Sequence, residues 1–142
     1  MTVDVTRVIR DIDLLLPKVR DMGIEFVWKA RYENGLCVGV FETIRFHERQ
    51  DYLYSTGKSS VKGDSPHAYH VLKQALDVLY MDIYSDWTWD KASHAYSIPP
   101  DKVFEFGYNW DKLGELGQQI GFAWGGTWKN PHDIYHFEVH EV

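Results

Sequence analysis

The chain has 142 residues, of which 44% are hydrophobic, 25% charged and 15% aromatic. This globular composition excludes a disordered tail or a fibrous repeat, and a domain of this length buries about two-thirds of the surface its unfolded chain exposes. With 15 Lys and Arg against 21 Asp and Glu, a net charge of -6, there is no clustered positive footprint for a nucleic-acid backbone, and none is expected as a partner.

The N-terminal run MTVDVTRVIRDIDLLLPKVRD interleaves charges with apolar residues and lacks the unbroken apolar stretch of a signal peptide or membrane span. The expectation is a single domain over residues 1–142, monomeric, made in the cytoplasm and not inserted in a membrane. Pro17 suits the first turn of a helix, and Val19, Met22, Phe26 and Ala30 recur at three or four residues, which predicts a helix over 16–33 ending at Asn34-Gly35. A rival reading makes Ile24 to Tyr32 a strand that turns through Asn34-Gly35 into the next segment. Leu36 to Ile44 is β-rich, and His47 to Ser55 has helical spacing that stops at Gly57.

From Lys58 to Tyr69 the chain is polar and reads as an exposed loop. Ala75 to Tyr80 reads as a strand on which Ala75, Asp77 and Leu79 share a face, setting a carboxylate in the core-facing phase. Such an acid must be paired, hydrogen-bonded or metal-bound. Trp110, Leu113, Leu116 and Ile120 mark a helix, and Phe137 and Val139 alternate with His136, Glu138 and His140 in a last strand. The proline-bearing loops at Ser65-Pro66 and Pro99-Pro100 are too short to separate domains.

Two partial motifs fail. Gly57-Lys58-Ser59 ends like a phosphate-binding loop but has Tyr52 where that loop needs its first glycine, and His47-Glu48 begins like a helical zinc-protease motif but has Asp51 in place of the second histidine. Cys37, the only cysteine, sits mid-strand without a neighbouring histidine, so it can form no disulfide within the chain and is no nucleophile candidate. What remains is a set of histidines and aspartates arriving from separate elements: His67 and His70, Asp77, Asp133 and His136. Three such ligands with an open fourth position form the catalytic zinc pattern.

The segment Tyr69 to Val78, the run Trp124-Gly125-Gly126-Thr127-Trp128, and Asp133-Ile134-Tyr135-His136-Phe137-Glu138 resemble the VanY-like D-alanyl-D-alanine carboxypeptidase and phage endolysin L-alanyl-D-glutamate peptidase family. The upstream blocks Phe41 to Arg45, Glu48-Arg49-Gln50 and Leu53-Tyr54 through Gly57 are also similar, in order, so that the likeness runs from about Leu15 to Val139. The resemblance implies an α+β domain with a small antiparallel sheet flanked by helices, of the Hedgehog/D-Ala-D-Ala-peptidase type. It implies His70, Asp77 and His136 as Zn2+ ligands, Asp133 as general base and Arg45 as a positive stabiliser of the substrate or its oxyanion.

Two positions depart from the family pattern: Ala68 stands for a serine and Lys73 for a glycine, so the backbone at Lys73 is expected to avoid glycine-only conformations. Ser65-Pro66-His67 offers a competing histidine, but seven residues beyond it lies Gln74, whereas seven beyond His70 lies Asp77. Because residues three apart on a regular strand face opposite ways, Asp133 and His136 can serve one ion only if Asp133 to Tyr135 turns, so the last strand is expected to start near His136. Trp124, Trp128 and Tyr69 read as core or rim packing. The implied function is a zinc peptidase that cleaves the L-alanyl-D-glutamate bond of peptidoglycan stem peptides, a compact endolysin reaching the wall after release. Its alternatives are a D-alanyl-D-alanine carboxypeptidase and a non-catalytic wall-binding relic, and the acidic net charge offers no general attraction to an anionic envelope.

Overall fold

In the computed structural model, the structure describes residues 3–36, 38–80, 89–90, 95–96, 109–129 and 132–142. The expectations for Cys37 and for Pro99-Pro100 lie outside these residues. A 3-10 turn at Ile12–Leu14 leads into helix α1 (Pro17–Trp28), which has Pro17 in its first turn and runs on into a wider π turn over Lys29–Glu33. This is the helix predicted over 16–33; the rival strand-and-hairpin reading is wrong. Val19, Phe26, Val27 and Ala30 of this segment are buried, and one apolar stripe of that width needs a sheet to cover it.

That sheet is formed by β1 (Val38–Glu42), β2 (Ala75–Tyr80), β5 (Ala123–Trp124) and β6 (His136–Glu138), all antiparallel in the order β1-β2-β6-β5. A separate two-stranded ribbon pairs β3 (Trp89–Asp90) with β4 (Ala95–Tyr96). Helix α2 (His47–Ser55) follows β1 as predicted, and α3 (Trp110–Ile120) precedes β5. Helices α1 and α3 cover the sheet through Phe26, Leu113 and Leu116, which join Phe122, Leu76, Val78 and Phe137 in one core. Phe26 and Phe137 are 4.7 Å apart between ring centroids. α3 can come this close because Gly114 has no side chain: a Cβ there would lie 2.3 Å from the Trp124 ring.

Since strand residues alternate between faces, Leu76, Val78 and Phe137 on the helix side leave Asp77, His136 and Glu138 on the other. This corrects the expectation that Asp77 takes the core-facing phase. All six residues of β2 are buried, because its second face is covered by polar groups rather than by solvent. No helix among the described residues is long and apolar enough to cross a membrane.

Candidate metal centre

The second face of the sheet is organised by an irregularity at Phe41. Val40 pairs with Val78, but Glu42, not Phe41, pairs with Asp77, which in turn pairs with His136. The extra residue re-aims β1, so that Glu42, Asp77 and His136 form a row across three strands. Glu42 is 1% exposed and is gripped by two guanidiniums: Arg49 Nε donates to Oε2 at 2.6 Å and Arg45 Nε to Oε1 at 3.0 Å. Arg45 also donates through Nη1 to Gln50 Oε1 at 3.1 Å and lies 3.5 Å from Asp77 Oδ2 through Nη2. Its fork is therefore largely engaged within the chain, while its side chain still lines the cleft above the sheet.

Beside Asp77 stand two imidazoles. His70 Nε2 and His136 Nδ1 are 3.2 Å apart, and each is 3.3 Å from Asp77 Oδ1. His70 comes from the turn that precedes β2, where its Nδ1 bonds the Thr43 carbonyl at 2.6 Å; Thr43 is anchored in turn by its hydroxyl donating to the Asp11 carbonyl at 2.9 Å. A carbonyl only accepts, so Nδ1 carries the proton and Nε2 points its lone pair at Asp77. His136 Nε2 bonds the Glu138 carboxylate at 2.6 Å, which fixes the opposite tautomer and turns the Nδ1 lone pair inward. Glu138 also bonds His140 Nε2, whose ring stacks on Tyr69 at 5.0 Å.

Three lone-pair donors thus meet at one point, and Asp77 Oδ1 is buried there without a hydrogen-bond partner. Three such atoms repel unless a proton or a cation lies between them. The edges of 3.2 to 3.3 Å match the ligand separation of a tetrahedral ion with bonds of about 2.0 to 2.1 Å, which is the zinc–nitrogen and zinc–oxygen length. The residues present therefore fit a zinc-sized ion held by His70, Asp77 and His136, and each imidazole is oriented by an acceptor behind it. The charge balance shows the same need. Burial would raise Asp77, but His70, His136 and Arg45 hold its carboxyl well below the usual range. Burial would lower His136, but Asp77 and Glu138 hold it up to about 9.

Asp133 lines the same cleft. It sits in the turn before β6, as the faces of the strand require, and β6 begins at His136. Its N–H donates to the Gly125 carbonyl at 3.1 Å, and its own carbonyl would lie 2.2 Å from a Cβ on Gly125, so no side chain fits at that position. Trp124 Nε1 donates to the Ile134 carbonyl at 2.9 Å and holds the turn from the other side. Trp124 is a core residue, while Trp128, 5.4 Å from the His136 ring, and Tyr69 stand at the cleft rim. Burial and then the Asp77 charge push Asp133 up, outweighing His136, the Tyr135 N–H and His70, which pull it down.

His67 lines the cleft but does not join the group; its ring lies beside Tyr69 at 6.4 Å. His47 pairs with Asp51 at 3.0 Å, the residue that interrupts the failed zinc-protease motif. The loop from Lys58 is less exposed than expected: Gly63 and Ala68 are buried, the latter where the family pattern has serine. Lys73 reverses its expectation outright, with φ of 63°. The chain keeps the left-handed turn of the missing glycine, because the Lys73 carbonyl must accept from Leu16 N–H at 3.1 Å and its N–H must reach the His70 carbonyl at 3.3 Å. Sequence reasoning assigned no role to Glu42, Arg49, Gln50 or Glu138; their signal was the charged pattern around Arg45 and the acid two residues after His136.

An antiparallel α+β sheet carrying a buried histidine, aspartate, histidine cluster over an open cleft defines a small metal-site hydrolase architecture. The family described as D-alanyl-D-alanine carboxypeptidase matches residues 59–139, more than half of the chain, and the chain belongs to that family. Among curated proteins it is similar to the peptidoglycan L-alanyl-D-glutamate endopeptidase CwlK of Bacillus subtilis (strain 168), 27% identical over 116 residues. That alignment covers 78% of this chain and spans 65% of the length of CwlK. Among solved structures, the fold is like that of the Serratia marcescens L-Ala D-Glu endopeptidase ChiX, with a TM-score of 0.56 and 21% identity over 92% of this chain and 84% of the other.

Proposed function

We propose that this chain is a zinc-dependent peptidase that hydrolyses the L-alanyl-D-glutamate bond of peptidoglycan stem peptides, and so acts at the cell wall. The observation that carries the reading is the meeting of His70 Nε2, Asp77 Oδ1 and His136 Nδ1 at tetrahedral-edge distances, with both tautomers fixed from behind. The choice of bond is supported by the likeness to CwlK.

In this reading His70, Asp77 and His136 hold the ion. Bound zinc supplies Lewis acidity to a water and to the scissile carbonyl. Asp133 is the base: its Oδ1 accepts the Tyr135 N–H at 3.3 Å, so Oδ2 is the oxygen left to take the water proton and pass it to the leaving amine. Its raised pKa favours the first transfer, since a carboxylate that holds a proton more firmly is the stronger base toward the water. Arg45 places a fixed positive charge beside Asp77 and over the cleft, where negative charge develops on the carbonyl oxygen.

Digestion of a defined muropeptide by the zinc-loaded protein, read by mass spectrometry, tests this. New N-terminal D-Glu is expected. Release of free D-Ala with no new D-Glu amine identifies a carboxypeptidase instead, and no product at full zinc occupancy identifies a binding relic.

A further inference from the structure

The cleft of about 750 Å³ is lined partly by the metal-site residues and partly by the segment 57–61, which leaves α2. Its charged groups are unequally committed. Arg45 is spent on Glu42, Gln50 and Asp77, and His140 is spent on Glu138. Among the described residues that line the cleft, Lys58 carries a permanent positive charge and makes no ion pair or side-chain hydrogen bond.

Its backbone, in contrast, is fixed. The Lys58 N–H donates to the Leu53 carbonyl at 2.8 Å, and the Ser59 N–H reaches the same carbonyl at 3.1 Å. Gln50, 2% exposed, fastens the rest of the segment: its Nε2 donates to Ser59 Oγ at 2.9 Å and to the Val61 carbonyl at 2.8 Å, while its Oε1 accepts from Arg45. A buried amide with all its polar atoms satisfied thus joins the guanidinium next to Asp77 to the root of Lys58. The segment is set in position from the metal site itself, and only the ammonium is left free.

We propose that Lys58 is a specificity-determining residue that binds the free α-carboxylate of the substrate's D-glutamyl residue. This rests on the peptidase reading above. A D-glutamyl residue joined onward through its side-chain carboxyl keeps its α-carboxylate next to the bond being cut, so the charge enters the cleft with the scissile amide. Arg45 cannot take it without giving up its contacts to the buried Glu42 and Gln50 and its place beside Asp77. A lysine on a fixed root is suited to this contact, because a flexible stem can carry its point charge to a carboxylate that arrives with the peptide.

The test compares two soluble stem peptides, one with the free α-carboxylate and one with the α-amide, cleaved by the zinc-loaded wild-type protein, Lys58→Gln and Lys58→Arg. The wild-type protein is expected to prefer the free acid by roughly fivefold in kcat/KM, carried by KM and weakened by salt, as a solvent-exposed ion pair requires. Lys58→Gln should bring the preference close to one and remove its salt dependence, and Lys58→Arg should restore both. An unchanged preference in Lys58→Gln overturns the inference while the peptidase reading stands. Failure of the wild-type protein to cut either peptide between Ala and D-Glu overturns both.

Discussion

Replacing Glu42 with Gln tests the idea that the metal face is held together by a buried ion network. Glu42 is 1% exposed, and its two oxygens lie 2.6 to 3.5 Å from the nitrogens they accept from on Arg49 and Arg45. Unit charges about 4 Å apart are worth about 4 kcal/mol at an effective dielectric near 20, and breaking a buried pair costs about 3–5 kcal/mol because the partner is left uncompensated. Glutamine keeps the shape and one acceptor but turns an amide donor toward a guanidinium, so a loss near 3 kcal/mol is expected. For a domain whose whole stability is on the order of 5–15 kcal/mol, that moves the urea midpoint down by roughly 1.5 M. Urea titration followed by tryptophan fluorescence measures it, at fixed zinc. The double variant Glu42→Gln/Arg49→Met removes one orphaned cation and should lose less than the sum of the two single changes. A midpoint shift under about 0.3 M, or strict additivity of the pair, refutes the reasoning.

Four further outcomes are expected. His70→Ala, Asp77→Ala and His136→Ala should each lose zinc by elemental analysis while His67→Ala keeps it; loss of metal from His67→Ala contradicts the geometry. Asp133→Asn should fold and retain zinc but lose activity on the order of a hundredfold. Because burial raises Asp133 and the base works deprotonated, wild-type activity should fall as pH drops, with a midpoint above the ordinary carboxyl value of 3.8. A limb at or below that value argues against Asp133. Lys73→Gly should stabilise the protein by roughly 0.5–1 kcal/mol, or a Tm higher by about 2 °C, since relief of about 1–2 kcal/mol of left-handed strain exceeds the extra freedom glycine gains when unfolded. A lower Tm would show that the Lys73 side chain contributes more than its backbone costs.

The elements that position the site were legible wherever one segment carries its own signal. Pro17 with the Val19, Phe26, Ala30 spacing gives α1, and the requirement that Asp133 and His136 reach one ion gives the turn before β6. The spacing from His70 to Asp77 brings a turn histidine and a strand aspartate to one point, and the competing His67 lacks an acid at that distance. What periodicity could not show is what depends on pairing between segments. Whether Glu42 or Phe41 stands opposite Asp77 is decided by one extra residue in β1, and a strand one residue out of step would turn Glu42 away from the metal face. The helical spacing of HERQDYLYS does not tell which of its polar residues face inward, because they look alike along the sequence. Arg49 and Gln50 are buried, since the acid that neutralises Arg49 and the loop that occupies the Gln50 donors come from elsewhere in the chain. The left-handed Lys73 was invisible for the opposite reason: residue type argues against that conformation, and only hydrogen bonds to Leu16 and His70 enforce it. Local signals therefore identify the groups that face the ion, while the shell that holds those groups is fixed by register and by buried charge pairing.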